Sequence, residues 1–246
     1  MTNRKEILGL PCDTLSFQGV LERIDEFISR RKPRLIITLN AEMSVIAQHD
    51  KELFEIISGS DLIVPDGMGI IFALRLLYRL TVDRITGIDL MMKMMELSAR
   101  KGYKIFLLGA AEDVIQQAKK TLQERFNNLN IVGIQHGYFE NDEIVSRQIA
   151  MYKPDILFVG IGSPKQEKWI HRHLEKMNVP ICMGIGGSFD VIAGKVKRAP
   201  FWMQRCGLEW LFRFIHEPWR IKRGAALPVF VFLVLRQWWG NRKKQR

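Results

Sequence analysis

Leu62-Ile63-Val64-Pro65-Asp66-Gly67-Met68-Gly69 is an apolar run ending in Pro-Asp-Gly, the pattern of a buried strand that runs straight into a turn. Asp61 and Asp66 bracket that strand, and only Asp66 stands at its carboxyl end, the side on which open parallel sheets bind ligands. Asp66 is thus the candidate acid or base. The structural alternative is a cap for a helix beginning near Gly67, a job aspartate does well.

Upstream, Val20 to Ile28 carries apolar residues at helical spacing, and Arg34 to Asn40 reads as a buried strand followed by a helix from Ala41. Thr38 and Asn40 are two apart and share a face on a strand. Asn40 also suits the cap of the next helix. If this strand lies beside Leu62–Asp66 in a parallel sheet, both polar residues line one crevice. Downstream, Gly69 to Leu80 is apolar nearly all round, which predicts a buried helix. A polar loop follows with Arg84, either an ion-pair partner of Asp83 or Asp89 or a binder of phosphate, and then a methionine-rich helix of core character.

Four further strand-to-turn junctions follow. Lys104 to Gly109 ends in a glycine turn open to phosphate, although Glu112 and Asp113 suit the helix dipole themselves. Past the strand Ile131–Gln135 comes Tyr138, placed to stack on a base or to cover the sheet edge. Asp155 to Gly162 leads into Ser163-Pro164-Lys165-Gln166, which fits a capping box with Ser163 as cap. His171 and His173 in the helix that follows point to different faces, so they do not chelate together and read as surface residues. The last strand, Ile181 to Gly187, carries three glycines, Gly186 among them, where something approaches the backbone closely. Asp190 beyond them is placed to accept from ribose hydroxyls. Neither Gly-x-Gly-x-x-Gly nor a Walker motif is completed, which disfavours a dinucleotide oxidoreductase. Alternating strands and helices predict an α/β fold with a parallel sheet flanked by helices.

Charge divides the 246 residues. Thirteen of the 37 Lys and Arg, but only Glu209 and Glu217 of the 26 acidic residues, lie from Lys195 onward, so this tail carries the whole net charge of +11. It also holds five of the six tryptophans. The expected organisation is a neutral body over 1–194 and a basic, Trp-rich appendage over 195–246. The eleven apolar residues Ala225–Leu235 are too few to cross a bilayer, which takes about 20. With Trp238, Trp239 and the basic end beyond them they predict an interfacial anchor on anionic lipid, the alternative being a helix buried against the body. So apolar a tail disfavours nucleic acid. Three scattered cysteines and an N-terminus without a signal-peptide core suggest a reducing, cytosolic setting.

Thr38-Leu39-Asn40-Ala41-Glu42-Met43, Pro65-Asp66-Gly67-x-Gly69, Arg84-x-Thr86-Gly87, Gly162-Ser163-Pro164-Lys165-Gln166-Glu167, and Arg198-Ala199-Pro200 followed by Gly207-Leu208-Glu209-Trp210 together resemble the WecG/TagA/CpsF glycosyltransferase family. The resemblance implies a Rossmann-like catalytic domain that moves a sugar from a UDP-sugar donor to a polyprenyl-diphosphate-linked acceptor, at the cytoplasmic face of a bacterial membrane. The family's best-known activity adds N-acetylmannosamine, with inversion, to N-acetylglucosaminyl-diphosphoundecaprenol in wall teichoic acid synthesis. Asp66 is then the general base and Arg84 lies near the reacting groups. Thr38, Asn40 and Gln166 surround the sugars, Tyr138 and Asp190 hold uridine, and Gly109 and Gly186 line the donor site. In the appendage, Arg213, Arg220 and Arg223 serve the site or the membrane. Inversion needs one base, and the departing diphosphate needs a metal or fixed positive groups. With no Asp-x-Asp and no histidine cluster, arginines are expected to serve, with neither metal nor cofactor. The sequence leaves homo-oligomer formation open.

Overall fold

The computed structural model describes residues 4–205, 209, 211–212 and 226–244. The chain opens with a hairpin, β1 (Arg4–Ile7) and β2 (Leu10–Asp13), paired antiparallel. Its two-residue turn puts Leu8 at φ 53° and Gly9 at φ 79°, the left-handed pair that matches strand twist in tight hairpins. The sequence suggests only a short apolar start here, because Leu-Gly lacks the Asn or Asp that usually marks such a turn.

Helix α1 (Phe17–Arg30) is capped by Ser16 and buries Val20, Ile24, Phe27 and Ile28. There follow β3 (Leu35–Leu39), α2 (Ala41–Ala47), α3 (Lys51–Gly59), β4 (Leu62–Pro65), α4 (Met68–Tyr78), α5 (Gly87–Lys101), β5 (Lys104–Gly109), α6 (Glu112–Arg125) and β6 (Asn130–Gln135). Next come α7 (Asp142–Tyr152), β7 (Ile156–Gly160), α8 (Lys165–Met177), β8 (Ile181–Gly184) and the short α9 (Ser188–Ile192) and α10 (Phe201–Arg205). The last described helix is α11 (Ala226–Lys244).

Strands β3 to β8 form one six-stranded sheet in the order β4-β3-β8-β7-β5-β6, with every pairing parallel. Successive side chains on a strand face opposite ways, so each strand feeds two cores. Leu35, Ile37 and Leu39 of β3, with Phe106, Leu108, Leu157 and Val159, enter the core shared with α2, α3, α4 and α8. Ile36, with Ile105, Leu107, Ile156 and Phe158, enters the other, with α1, α5 and α6. The α/β expectation is met. Between β4 at one edge and β5, three strands intervene, and a crossover of this kind opens a crevice above the carboxyl ends of the central strands.

Two helices depart from the sequence reading. Helix α4 buries Ile70, Ala73 and Leu74 but leaves Met68 and Phe72 exposed. It is a one-sided helix, packed against β1 and the C-terminal helix. Helix α11 continues past the apolar run to Lys244 and packs on α2 and α4. Phe230 and Val234 are fully buried in the first core, while Val229, Phe232, Leu235 and Trp239 remain exposed. Its Gln237 side chain also accepts from the Leu8 N–H at 2.9 Å.

This docking assigns unequal weight to neighbouring phenylalanines. Phe230→Ala is expected to cost roughly 3–5 kcal/mol and Phe232→Ala at most about 0.5 kcal/mol, measured by guanidinium denaturation in lipid-free buffer. Equal losses would mean that α11 is not seated on this face.

Candidate active site

The crevice encloses about 820 Å³ and is lined by Thr38, Asn40, Asp66, Arg84, Tyr138, Gln166, Gly186 and Asp190. Eight residues singled out from the sequence thus meet in one place, although they span more than 150 positions of the chain. A volume of this order is usual for a site that takes a small molecule or nucleotide.

Register brings the first three together. Strands β3 and β4 pair with Thr38 opposite Val64 and Leu39 opposite Pro65, and the Asp66 N–H donates to the Leu39 carbonyl at 2.8 Å. Asn40 caps α2, its Oδ1 accepting from Met43 N–H at 2.9 Å, yet it still faces the crevice. Asp61, at the other end of β4, is tied up by Arg34 and by the Leu35 N–H. Of the two aspartates flanking this strand, Asp66 is the one at the ligand side.

Asp66 does not cap the helix that follows it. The cap position of α4 is Gly67, at φ 84°, with no side-chain bond to the helix; a side chain would be strained there. Asp66 instead turns toward the start of α5, where its Oδ2 accepts from the Gly87 N–H at 3.4 Å. Gly87 also lies against Thr38, since a Cβ on it would stand 3.5 Å from Thr38 Oγ1. The half-buried carboxylate therefore faces the first turn of α5.

Arg84 pairs with neither Asp83 nor Asp89. Its guanidinium donates to the Gln204 carbonyl at 3.1 Å and to Glu209 Oε2 at 3.2 Å, because the chain after β8 folds back across the loop. Arg198 makes a two-pronged pair with Asp89 at 2.7 and 2.9 Å and reaches Glu209 at 3.4 Å. Asp89 in turn takes the Thr86 hydroxyl at 2.6 Å, and Thr86 caps α5. Burial pushes the Asp89 carboxyl up, but Arg198 and Thr86 outweigh it and hold Asp89 below the usual carboxylate range. Glu209 and Arg198 escaped a reading by spacing as partners of this loop, since Glu209 is 125 positions from Arg84.

Three further expectations change. The capping box is absent: α8 begins at Lys165 after Pro164, with no side-chain cap bond. Freed from that role, Gln166 accepts from the Gly186 N–H at 3.0 Å and donates to Glu167 Oε1 at 2.7 Å. His173 is buried, with its ring 5.0 Å from that of Trp169; residues 166, 169, 170, 173 and 177 form one buried stripe of α8, a spacing that could have placed it. Gly109 does not line the crevice. Its φ of 138° and the Gly160 carbonyl, 2.4 Å from where its Cβ would be, make it a site of close strand packing, and Ala110 lines the crevice in its stead. Tyr138 stands exposed at the rim, and Asp190 is half-buried on α9. Lys195, also lining the crevice, pairs with Asp113 at the start of α6. Arg213, Arg220 and Arg223 lie outside the described residues.

A sheet crevice with a carboxylate at the end of β4, bordered by a returning C-terminal segment, fits a group-transfer enzyme. The model of the glycosyl transferase WecG/TagA/CpsF family matches residues 5–244, and the chain belongs to that family. It is 37% identical over 222 residues, covering 90% of this chain and 86% of the relative, to the N-acetylglucosaminyldiphosphoundecaprenol N-acetyl-beta-D-mannosaminyltransferase of Bacillus subtilis (strain 168). It is 34% identical over 236 residues, 95% of this chain and 92% of the relative, to the enzyme of the same name from Staphylococcus aureus (strain MW2).

The Asp89 pair gives a pH signature. A depressed carboxylate contributes stability that is whole above the ordinary aspartate pKa of about 3.9 and is lost as pH falls through the lower folded value. Asp89→Asn is expected to lower the melting midpoint at pH 7, with the gap to wild type closing as the pH drops below that window. A gap that stays constant into acid would contradict the pairing.

Proposed function

We propose that this chain transfers N-acetylmannosamine from UDP-N-acetylmannosamine to N-acetylglucosaminyl-diphosphoundecaprenol with inversion, forming the β-1,4-linked disaccharide that begins wall teichoic acid assembly. The observation that carries the reading is the placement of Asp66, a strand-end carboxylate close to Thr38 and the Gly87 N–H in a crevice of nucleotide-sugar size. The names of the relatives agree with it.

In this reading the acceptor hydroxyl attacks the anomeric carbon of the donor. Its proton passes to Asp66, the new glycosidic C–O bond forms, and the bond to UDP breaks with the electron pair leaving on the diphosphate. A base in reach of the hydroxyl is worth about 10²–10⁴-fold in rate. Thr38, Asn40 and Gln166 hold sugar hydroxyls, and Tyr138 and Asp190 hold uridine. Positive groups balance the leaving diphosphate. Arg84 and Lys195 are at the crevice, although Arg84 shares its charge with Glu209. The same fold and chemistry would serve a different UDP-sugar, and the donor panel below separates the two.

The acceptor is a membrane lipid, and the C-terminal elements suit a peripheral position on the inner face of the membrane. Among the described residues no helix is long and apolar enough to cross a membrane. Helix α11 turns Phe232, Leu235 and Trp239 outward with exposed Arg236, Arg242 and Lys243, and α10 exposes Phe201 and Trp202. Exposed aromatic and basic residues together favour an anionic lipid surface.

UDP release measured in EDTA, with a short-chain lipid-linked N-acetylglucosaminyl diphosphate as acceptor, tests the function. Acceptor-dependent turnover with UDP-N-acetylmannosamine, and at least about tenfold less with other UDP-sugars, is expected. Preference for another UDP-sugar would move the donor, and turnover that returns only on adding a divalent metal would overturn the role given to fixed positive groups.

A further inference from the structure

Behind the crevice lies a buried carboxyl that the proposed mechanism does not use. Glu167, in the first turn of α8, is 2% exposed. One oxygen, Oε1, accepts from Gln166 Nε2 at 2.7 Å; the other, Oε2, is buried with no hydrogen-bond partner among the described residues. A buried carboxyl is costly unless its oxygens are engaged; besides Gln166, the Ser163 hydroxyl and the Glu167 N–H also act on this one. Gln166 is itself 4% exposed but borders the crevice. Its amide lies flat on β8, where a Cβ on Gly184 would stand 2.4 Å from Nε2. An amide has two N–H donors and one acceptor oxygen. Here the oxygen is committed to the Gly186 N–H and one hydrogen to Glu167. Reversing the amide would set its NH₂ against the Gly186 N–H and its oxygen against the Glu167 oxygen, both repulsive.

We propose that Glu167 is a positioning residue: it takes one hydrogen of the Gln166 amide and so fixes the other toward an oxygen of the nucleotide-sugar. Burial pushes the Glu167 carboxyl above its ordinary range, and the role survives protonation, since the carbonyl oxygen of a neutral carboxyl accepts as well. Glutamine at 167 offers the same acceptor, whereas leucine or methionine offers none and leaves the Gln166 amide without its second anchor. The inference rests on the donor reading above.

Calorimetric titration with UDP-N-acetylmannosamine on the full chain tests it, using Glu167→Gln, Glu167→Leu and Gln166→Ala, with Glu167→Met in place of the leucine variant if that one does not fold. Donor affinity is expected to stay within about threefold in Glu167→Gln and to fall about tenfold in the apolar variant. In a Gln166→Ala background the apolar substitution should add no further loss. Wild-type affinity in the apolar variant, or an equal loss in both backgrounds, would overturn the inference while leaving the donor reading intact. A wild-type protein that does not bind this donor would overturn the donor reading and this inference with it.

Discussion

The hydrogen bond from the Asp66 N–H to the Leu39 carbonyl, 2.8 Å long, carries the β3–β4 ladder one residue past Pro65. Pro65 has no N–H to give, and it is tolerated because β4 is an edge strand. The Pro65 carbonyl is not idle: it accepts from Ile85 N–H at 2.9 Å, which pulls the loop bearing Arg84 and Thr86 over the strand end. Two backbone bonds at one edge thus fix where the carboxylate, the arginine and the start of α5 stand relative to Thr38 and Asn40. The rest of the crevice is assembled on that corner.

From there a line of polar contacts runs outward. Gly87 begins α5 under Asp66, Thr86 caps the helix, Asp89 holds Thr86, Arg198 holds Asp89, and Glu209 joins Arg198 to Arg84. The segment after β8 therefore reaches Asp66 through the same helix turn that orients it. On the opposite wall, Gln166 is bound to Gly186 and Glu167, so that side is set by the glycines of β8. One wall is built from charge pairs and the other from a buried amide. The first is open to changes in the C-terminal segment, while the second belongs to the sheet.

Much of this was legible because parallel α/β sheets combine buried apolar runs with polar residues at strand ends. Leu35–Leu39 and Leu62–Pro65 could be read as neighbours, and Asp66 as the aspartate at the carboxyl end of its strand, from pattern alone. What escaped depended on three-dimensional return of the chain. The Leu8-Gly9 hairpin lacked the usual turn residues. Ser163-Pro164-Lys165-Gln166 matched a capping box in letters, but the helix starts one residue after the proline and Gln166 turns inward. The partner of Arg84 was sought nearby, at Asp83 or Asp89, where local spacing points; Glu209 arrives from a different part of the chain. The exposed and buried faces of α11 also alternate within a run that composition reads as uniformly apolar.

The claim at the centre is that Asp66 acts on the reacting hydroxyl and is not needed to hold the donor. UDP-N-acetylmannosamine binding and acceptor-dependent transfer, measured side by side on Asp66→Asn, address it directly. The account predicts donor affinity within about threefold of wild type, because the amide keeps the shape and the crevice, and a transfer rate lower by about 10²–10⁴-fold. Transfer near the wild-type rate, or loss of donor binding in step with loss of transfer, would contradict it.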